Sequence, residues 1–344
     1  MKAFVMAAGI GTRLRPLTYS IPKPLVPIVN LPVIGHLMNN LAKNGINQIV
    51  VNLHYYPKLI SSYLSDGEKW GVKIKYSYEK KLLGTAGGVK LQEKFFDDTF
   101  IVTSGDGLSD INFKKLIKFH KEKKALATIV LKPIDAKLEY GVVEIDENNI
   151  IKNFYEKPSW SEVFSNLVNT GIYVFEPEIF KYIPKNKFYD FGKDLLPKLV
   201  RMSLPVYGYI MEEYWCDVGN LSEYRKVQRD CLDGKVKVKI PAKEIKEKIW
   251  VGKNTKLPNS LKINPPCIIG DNVSIGENCF FDSYTVIGNN CIIGNNVKIR
   301  DSVLWNDVVV NSNVSLSSCV ISSFAKVSES ISMFDGTIIN IEVC

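Results

Sequence analysis

The sequence predicts an α/β protein in which a Rossmann-like domain with a mainly parallel sheet is followed by a left-handed parallel β-helix. Two observations support this fold class. Apolar, strand-like runs alternate with amphipathic, helix-like stretches through the first two-thirds of the chain, and a six-residue repeat runs through the last third. Strand–helix alternation is typical of parallel sheets covered by helices, and hexapeptide repeats are typical of β-helices.

The strands and helices of the first part follow from the position of the apolar residues. Amphipathic stretches at Val33–Asn44 and Phe113–Lys123 predict helices. The predicted strands are Ala3–Ala7, Ile49–Leu53, Phe100–Thr103, Ala127–Leu131 and Gly171–Phe175. Ligands of such sheets bind at the carboxyl ends of the strands, so we expect the functional residues just after these runs.

The repeat of the last third places an apolar residue at every sixth position from Val251 to Trp305, with a smaller residue two positions before several of them. The large and the small side chains are expected to fill the interior of the coil. Glycines and asparagines between them are expected to turn the corners, where positive φ is tolerated. Cys267, Cys279 and Cys291 occupy the small position, which favours a packing role over a redox or metal role.

These patterns divide the chain into a first domain over residues 1–232, a linker over 233–249 and the β-helix domain over 250–344. The 344 residues exceed what one compact core usually holds. Within the linker, Val236, Val238 and Ile240 alternate with lysines. This alternation predicts a short, half-exposed strand that Pro241 ends.

Composition excludes several classes of protein. The sequence has no apolar run of 18 residues, and its first residues do not resemble a signal peptide. Seven cysteines without a CxxC pair disfavour zinc sites and a secreted disulfide framework, so a cytoplasmic location is expected. The net charge is +8, and the basic excess lies in residues 1–249, which carry +10, because residues 250–344 hold six basic and eight acidic side chains. This excess suits a phosphorylated ligand or a solvated lysine-rich surface, whereas scattered lysines disfavour nucleic acid.

A glycine-rich segment with two arginines follows the first strand, and a lysine between two prolines follows it. Glycines let backbone N–H groups approach phosphate oxygens, arginine binds phosphate through paired hydrogen bonds, and lysine adds a mobile charge. The pattern is neither a dinucleotide-binding GxGxxG nor an ATPase loop ending in GK[ST]. The candidate phosphate-binding residues are Ala8, Gly9, Gly11, Thr12, Arg13 and Lys23.

This segment resembles the signature of the sugar-nucleotide pyrophosphorylases, a nucleotidyltransferase family many of whose members carry a C-terminal left-handed β-helix. The resemblance spans essentially the whole chain. It implies a Mg²⁺ site formed by Asp106, at the end of a strand, and Asp217, within Trp215–Gly219. Gly107 departs from the hydrophobic residue or asparagine that the family usually has after this aspartate. Asp110 is a weaker metal candidate and is better explained as a helix N-cap.

The remaining landmarks of the family can be matched one by one. Leu83–Gly88 resembles its nucleobase-binding loop, with Gly84, Thr85 and Gly87, and Glu79 just upstream is a candidate acceptor for a base. A plain turn before a helix is the alternative interpretation. Gly141, Glu156, Lys157 and Asn169 resemble sugar-phosphate contacts, and Thr170 stands where the family often has alanine. For Glu156 and Lys157 the alternative is a pair of solvated charges.

The resemblance implies transfer of a nucleotidyl group from a nucleoside triphosphate to a sugar 1-phosphate, with Arg13, Lys23, Asp106, Lys157 and Asp217 as the catalytic set. GTP and mannose 1-phosphate are the favoured pair. Glucose-1-phosphate enzymes that use UTP, dTTP or ATP and a non-catalytic subunit that binds a sugar nucleotide remain alternatives. Acyl transfer by the β-helix is disfavoured because no histidine follows His120. Homo-oligomers are expected from the exposed β-helix faces.

Overall fold

The computed structural model describes residues 1–134, 140–159 and 165–340. The strands of the first part are β1 (Lys2–Met6), β2 (Pro27–Ile28), β3 (Leu31–Pro32), β4 (Gln48–Leu53), β5 (Lys73–Tyr78), β6 (Phe100–Ser104), β7 (Gly107–Ser109), β8 (Ala127–Pro133), β9 (Gly141–Ile145), β10 (Ile151–Glu156), β11 (Leu167–Phe175), β12 (Val206–Ile210) and β13 (Trp215–Asp217). The α-helices are α1 (Val33–Lys43), α2 (Pro57–Leu64), α3 (Gly84–Lys90), α4 (Phe113–Glu122), α5 (Leu196–Arg201) and α6 (Leu221–Leu232).

The chain folds into two compact units. The first contains Met1–Ile10 and Leu37–Asp217, and the second contains Gly11–His36 and Val218–Cys344. Each unit thus combines two ranges that are separate in sequence. The division into a first domain over residues 1–232, a linker over 233–249 and a β-helix domain over 250–344 stays a prediction.

The first unit is built on a mixed sheet with the order β10-β9-β11-β6-β1-β4-β5, in which β8 pairs with β11 and β12. Strands β6, β1, β4 and β5 are mutually parallel, as the strand–helix alternation predicts. Strand β11 runs antiparallel to β6, β8 and β9, and β9 pairs antiparallel with β10. The α/β fold class is confirmed. Strands β9 and β10 are antiparallel because a short turn joins them, whereas parallel neighbours need a longer crossover connection.

The aromatic core of this unit lies at the start of β6 and the end of β11. Phe96 stacks on Phe100 at 4.4 Å between ring centroids, and Phe100 stacks on Phe180 at 5.5 Å. Phe175 stacks on Phe191 at 5.3 Å. All five rings are buried, so the segments after β11 are fixed by the same core as the strands.

The second unit contains the β-helix, whose strands are β14 (Lys243–Lys246), β15 (Ile249–Val251), β16 (Lys262–Ile263), β17 (Cys267–Ile269), β18 (Ser274–Ile275), β19 (Phe280–Phe281), β20 (Thr285–Ile287), β21 (Ile292–Ile293), β22 (Lys298–Arg300), β23 (Val303–Leu304), β24 (Val309–Val310), β25 (Ser315–Ser317), β26 (Val320–Ile321), β27 (Lys326–Val327), β28 (Ser332–Phe334) and β29 (Thr337–Ile338). Strands β15 to β29 form three parallel sheets, which confirms the predicted β-helix. Cys267, Cys279 and Cys291 are fully buried in its core, as predicted.

The corners of the β-helix correct the role expected for the glycines. Asparagines such as Asn272 and Asn290 do adopt positive φ, at 56° and 58°, and the Asn272 amide donates to the Asn290 side chain at 3.2 Å. The repeat glycines do not have positive φ. A Cβ on Gly270 would instead lie 2.6 Å from the carbonyl carbon of Gly288 in the next coil. These glycines are needed because successive coils approach too closely for a side chain.

The strand predicted in the linker is wrong in position. Val236–Ile240 is irregular, and the strand is β14, which pairs antiparallel with β15. The valine–lysine alternation has the period of a strand, but a segment forms a strand only when it pairs with a neighbouring strand. In this sheet the segment that pairs with β15 at the edge is β14.

Candidate active site

A chain of hydrogen bonds crosses the carboxyl ends of the parallel strands. The N–H of Ala7, after β1, donates to Oδ1 of Asn52 at 2.7 Å, and Nδ2 of Asn52 donates to Oε1 of Glu79 at 2.7 Å. The other oxygen of Glu79 accepts from the N–H of Leu83 at 3.1 Å. Both carboxylate oxygens of Glu79 are therefore engaged by the protein, and the side chain holds the loop before α3. Its predicted direct contact with a base stays a prediction.

Helix α3 begins at Gly84, and its glycines pack against the backbone of residues 187–189. Gly84 has φ of 75°, and a Cβ there would lie 2.6 Å from the carbonyl oxygen of Tyr189. A Cβ on Gly87 would lie 2.8 Å from the carbonyl oxygen of Lys187. The hydroxyl of Thr85 donates to Asp190 at 2.9 Å. Close packing explains why small residues are needed here, whether or not a base also lies against the loop.

The register of a short antiparallel pair brings the two predicted metal ligands close together. Strand β13 pairs with β7 so that Asp217 lies opposite Gly107, the residue after Asp106. The hydroxyl of Ser104 donates to Oδ1 of Asp106. Both aspartates are half-buried. Two carboxylates one position apart in register can act on one ligand.

This pair fits a divalent cation that the substrate helps to coordinate. Mg²⁺ takes six oxygen ligands and usually retains water or phosphate oxygens among them. Among residues 1–134, 140–159 and 165–340, no cluster of three or more His, Cys, Asp or Glu could hold a metal ion. Two aspartates completed by phosphate and water are therefore a suitable donor set, whereas a site made of protein ligands alone is not found in this part of the chain.

Asp110 is not the N-cap that the sequence suggested. The N-cap of α4 is Asn112, whose side chain accepts from the N–H of Lys115 at 3.1 Å. Oδ1 of Asp110 instead accepts from the N–H of Tyr214 at 2.8 Å. The prediction placed the cap two residues early, because Asp and Asn are equally good caps and only the helix start distinguishes them.

Glu156, at the end of β10, lies between two glycines. A Cβ on Gly141 would lie 2.9 Å from Oε2 of Glu156, and a Cβ on Gly192 would lie 2.4 Å from the same oxygen. Burial, and next the charge of Asp190, raise the pKa of Glu156, while Lys157 and Lys193 lower it. The carboxylate therefore sits in a confined, partly desolvated place beside cations. It is not the solvated surface charge of the alternative interpretation.

The polar residues of β11 are held by contacts within the first unit. Nδ2 of Asn169 donates to the Tyr173 hydroxyl at 2.9 Å, and its Oδ1 accepts from the N–H of Gly171 at 3.0 Å. The hydroxyl of Thr170 donates to the carbonyl of Val130 at 2.8 Å. Thr170 is buried, so its hydroxyl is directed into the protein. Lys157, in contrast, is exposed in a left-handed conformation with φ of 50°.

The phosphate-binding candidates divide between the units. Ala8 and Gly9 follow β1 in the first unit. In the second unit Gly11 has φ of 69°, and its carbonyl accepts from the hydroxyl of Thr18 at 2.9 Å. Thr12 and Arg13 are exposed in the turn that follows Gly11. Lys23 is buried, and a Cβ added to Gly11 would lie 2.8 Å from the Cβ of Lys23. Within the second unit, the Gly11 turn and the Lys23 segment therefore pack on each other.

Of the three histidines, His36 and His120 are buried. Nε2 of His36 donates to the carbonyl of Ile28 at 2.9 Å, and burial lowers the pKa of His36 to about 4. His120 contacts Thr128 and Glu176 in the core of the first unit. The ring of His54 contacts the carbonyl of Glu79 at 2.8 Å. This contact gives His54 a supporting role beside the Asn52–Glu79 pair.

Three residues of this region were not found from the sequence, namely Asn52, Asp190 and Gly192. Asn52 interrupts an apolar strand near its end, which was a usable signal of a buried polar contact. Asp190 precedes a helix and accepts from the N–H groups of Gly192 and Lys193 at 2.9 and 3.1 Å. The N-cap role of Asp190 was predictable from the sequence, whereas its position close to Glu156 was not.

Known proteins are similar to this chain over both of its parts. Residues 2–234 match the nucleotidyl transferase family, and residues 245–344 match the LbH domain of EIF2B subunit epsilon. A UTP–glucose-1-phosphate uridylyltransferase of Synechocystis sp. is 43% identical over 286 residues, covering 78% of this chain and 74% of that protein. A mannose-1-phosphate guanyltransferase of Candida albicans is 36% identical over 271 residues, covering 77% and 73%.

A solved structure shares its fold with about two-thirds of the chain. The putative glucose-1-phosphate thymidylyltransferase of Bacillus anthracis, in complex with sucrose, is 26% identical. It aligns with a TM-score of 0.60 over 67% of this chain and 94% of that one. No helix in the described part of this chain has the length and apolar character needed to cross a membrane.

Proposed function

The chain belongs to the nucleotidyl transferase family, and from this premise we propose that it joins a nucleoside triphosphate to a sugar 1-phosphate and releases pyrophosphate. The observation that carries the proposal is the register of β13 on β7, because Asp217 lies one position from Asp106. Two aspartates at a strand end suit a reaction whose reacting groups are all phosphates.

The proposed reaction is an in-line attack by a phosphate oxygen of the sugar phosphate on the α-phosphorus of the nucleotide. The attacking phosphate is ionised at neutral pH, so no strong general base is required. The difficulty is electrostatic, because two anions meet and charge accumulates on the leaving pyrophosphate. Positive groups aimed at these oxygens are therefore the main catalytic requirement.

We assign these tasks to the predicted residues. Arg13 and Lys23 hold the triphosphate and then the departing pyrophosphate, and Lys157 holds the attacking phosphate in line. Glu156 accepts hydrogen bonds from sugar hydroxyls. Members of the family generally use a divalent metal ion. Mg²⁺, in our proposal bound by Asp106 and Asp217, would supply positive charge to the phosphate oxygens.

Two substrate pairs are candidates. We place UTP with glucose 1-phosphate first, because the Synechocystis uridylyltransferase is 43% identical to this chain. GTP with mannose 1-phosphate, the pair favoured by the sequence motifs, is the second candidate. It is supported by guanylyltransferases of fungi and plants that are 34% to 38% identical. Base and sugar choice rests on a few hydrogen bonds of about 1–3 kcal/mol each.

The test is pyrophosphate release with Mg²⁺ over a grid of nucleoside triphosphates and sugar 1-phosphates. Turnover confined to one pair identifies the substrates. Asp106→Asn should abolish the signal, and Asp97→Asn, a change at an exposed side chain, should not. If no pair gives pyrophosphate while the protein still binds a sugar nucleotide, the enzyme proposal fails, and the alternative of a non-catalytic subunit that binds a sugar nucleotide replaces it. Light scattering on the same sample tests the proposed homo-oligomer.

A further inference from the structure

A small hairpin formed by β2 and β3 follows the Lys23 segment in the second unit. Its tip residues, Val29 and Asn30, both adopt left-handed conformations, with φ of 43° and 64°. A β-branched residue such as valine rarely adopts this conformation, and it persists only where the surroundings hold it. Val29 is fully buried, so the residues packed around it hold its backbone in this conformation.

The hairpin is held from one side by helix α6. The N–H of Val29 donates to Oε1 of Gln228 at 2.8 Å. The carbonyl of Pro27 accepts from the Tyr224 hydroxyl at 2.7 Å and from Nε2 of Gln228 at 2.9 Å. Tyr224 is fully buried. Helix α6 thus fixes the backbone on both sides of Ile28.

The β-helix holds the same hairpin. Nδ2 of Asn30 donates to the carbonyl of Ile287 in β20 at 2.7 Å. Nε1 of Trp305 donates to the hydroxyl of Tyr224 at 2.9 Å, and Trp305 is buried. A continuous set of hydrogen bonds therefore runs from Trp305 through Tyr224 to Pro27.

A change in the repeat puts Trp305 in this place. Ile269 pairs with Ile287, 18 residues later, but Ile287 pairs with Leu304, only 17 residues later. The sequence predicted Trp305 in the repeat position, and this is wrong because one residue is missing between Ile299 and Leu304. Trp305 consequently stacks at the corner above Gly288, where its ring reaches Tyr224.

The hairpin is continuous with the phosphate-binding candidates. Residues Lys23–Leu25 form a helical turn directly before β2, and the N–H of Val26 donates to the carbonyl of Lys23 at 3.1 Å. The N–H of Val33, after the hairpin, donates to the carbonyl of Val26 at 3.1 Å. Because the side chain of Lys23 packs on Gly11, displacement of the hairpin would also displace the Gly11 turn.

We propose that Asn30, Tyr224 and Trp305 are positioning residues for the triphosphate, through which the β-helix keeps Lys23 and the Gly11 turn in their binding conformation. The proposal rests on the role of Lys23 in the proposed function. It gives the β-helix an indirect role in nucleotide binding in addition to any role in assembly.

The experiment compares the full-length wild type with Tyr224→Phe and Asn30→Ala, which remove hydrogen bonds to the hairpin. The matched control is Arg229→Gln, which breaks the ion pair of α6 with Asp301 of the β-helix and leaves the side chains that bond the hairpin unchanged. Three quantities are measured: amide hydrogen exchange over residues 11–28, the dissociation constant of pyrophosphate with Mg²⁺ by calorimetry, and KM for each substrate.

For Tyr224→Phe and Asn30→Ala we expect faster exchange over residues 11–28, pyrophosphate binding weakened about 5-fold, as for the loss of one hydrogen bond, and a similar rise in KM for the triphosphate only. The control should match the wild type. Unchanged pyrophosphate affinity in both variants, or the same loss in Arg229→Gln, overturns the proposal. A wild type that binds no pyrophosphate also overturns it. Weaker pyrophosphate binding in the variants, in a protein without turnover on any pair, retains the proposal and rejects the proposed function.

Discussion

Gly192→Ala tests whether the confined position of Glu156 matters for the sugar phosphate. The added Cβ would lie 2.4 Å from Oε2 and 2.9 Å from Cδ of Glu156. An ordinary contact needs about 3.4 Å or more, so the carboxylate must move by about 1 Å. The carboxylate is the far end of a flexible side chain, and the backbone of Gly192 suits an L-residue. We therefore expect the free energy of unfolding to change by less than about 1 kcal/mol.

The functional effect should be much larger than the effect on stability. A shift of about 1 Å in a substrate-positioning group costs up to about 100-fold in rate. We expect kcat/KM for the sugar 1-phosphate to fall about 10- to 100-fold, or about 1.4 to 2.7 kcal/mol. The KM for the triphosphate should stay near its wild-type value, because the substitution does not touch the Gly11 turn.

Steady-state pyrophosphate release, with each substrate varied in turn, measures this effect. A double-mutant cycle with Glu156→Ala identifies its route. If Gly192→Ala acts by displacing the carboxylate, it should have little further effect in the Glu156→Ala background. An equal loss in both backgrounds, or wild-type kinetics for Gly192→Ala, would refute the reasoning.

Three further predictions address the phosphate site, acid stability and the coils. Arg13→Ala and Asp106→Asn should each lower kcat by about 100-fold or more with little change in Tm, and near-normal turnover in either would contradict its assigned role. Because burial lowers the pKa of His36 from 6.5 to about 4, the folded state binds fewer protons than the unfolded state between these values. The contribution of His36 to the free energy of unfolding is therefore fully present above about pH 6.5, and about 3 kcal/mol of it is lost as the pH falls towards 4. The free energy measured by urea unfolding should depend less on pH in His36→Gln than in the wild type. An equal pH dependence would exclude His36 as the cause. Gly270→Ala, whose Cβ would lie 2.6 Å from the backbone of the next coil, should lower the free energy of unfolding by about 1–3 kcal/mol in thermal denaturation, whereas Ser274→Ala, at an exposed position, should stay within about 0.5 kcal/mol.

The sequence by itself determined the features that depend on residues close together in the chain, namely the strands, the repeat and the motifs. Apolar runs identified the parallel strands, because a strand buried on both faces is apolar throughout. The six-residue period identified the β-helix as far as Ile299, because each face repeats the same inward positions. Arg13, Lys23, Asp106 and Asp217 are predicted site residues from their motifs, since loops that bind phosphate or metal require particular residue types at short spacing, and their roles stay predictions.

Only the tertiary structure decided how distant segments meet. The Asn52–Glu79 hydrogen bond, the confinement of Glu156 by Gly192 and the contact of Trp305 with Tyr224 each join residues far apart in sequence. No periodicity records such pairs, because they depend on strand order and on the number of residues in each coil. The omission of one residue before Leu304 shifts Trp305 from the predicted interior to a corner. A search for a period of six does not show where a residue is missing from the repeat. The pairing of strands between successive coils shows that position.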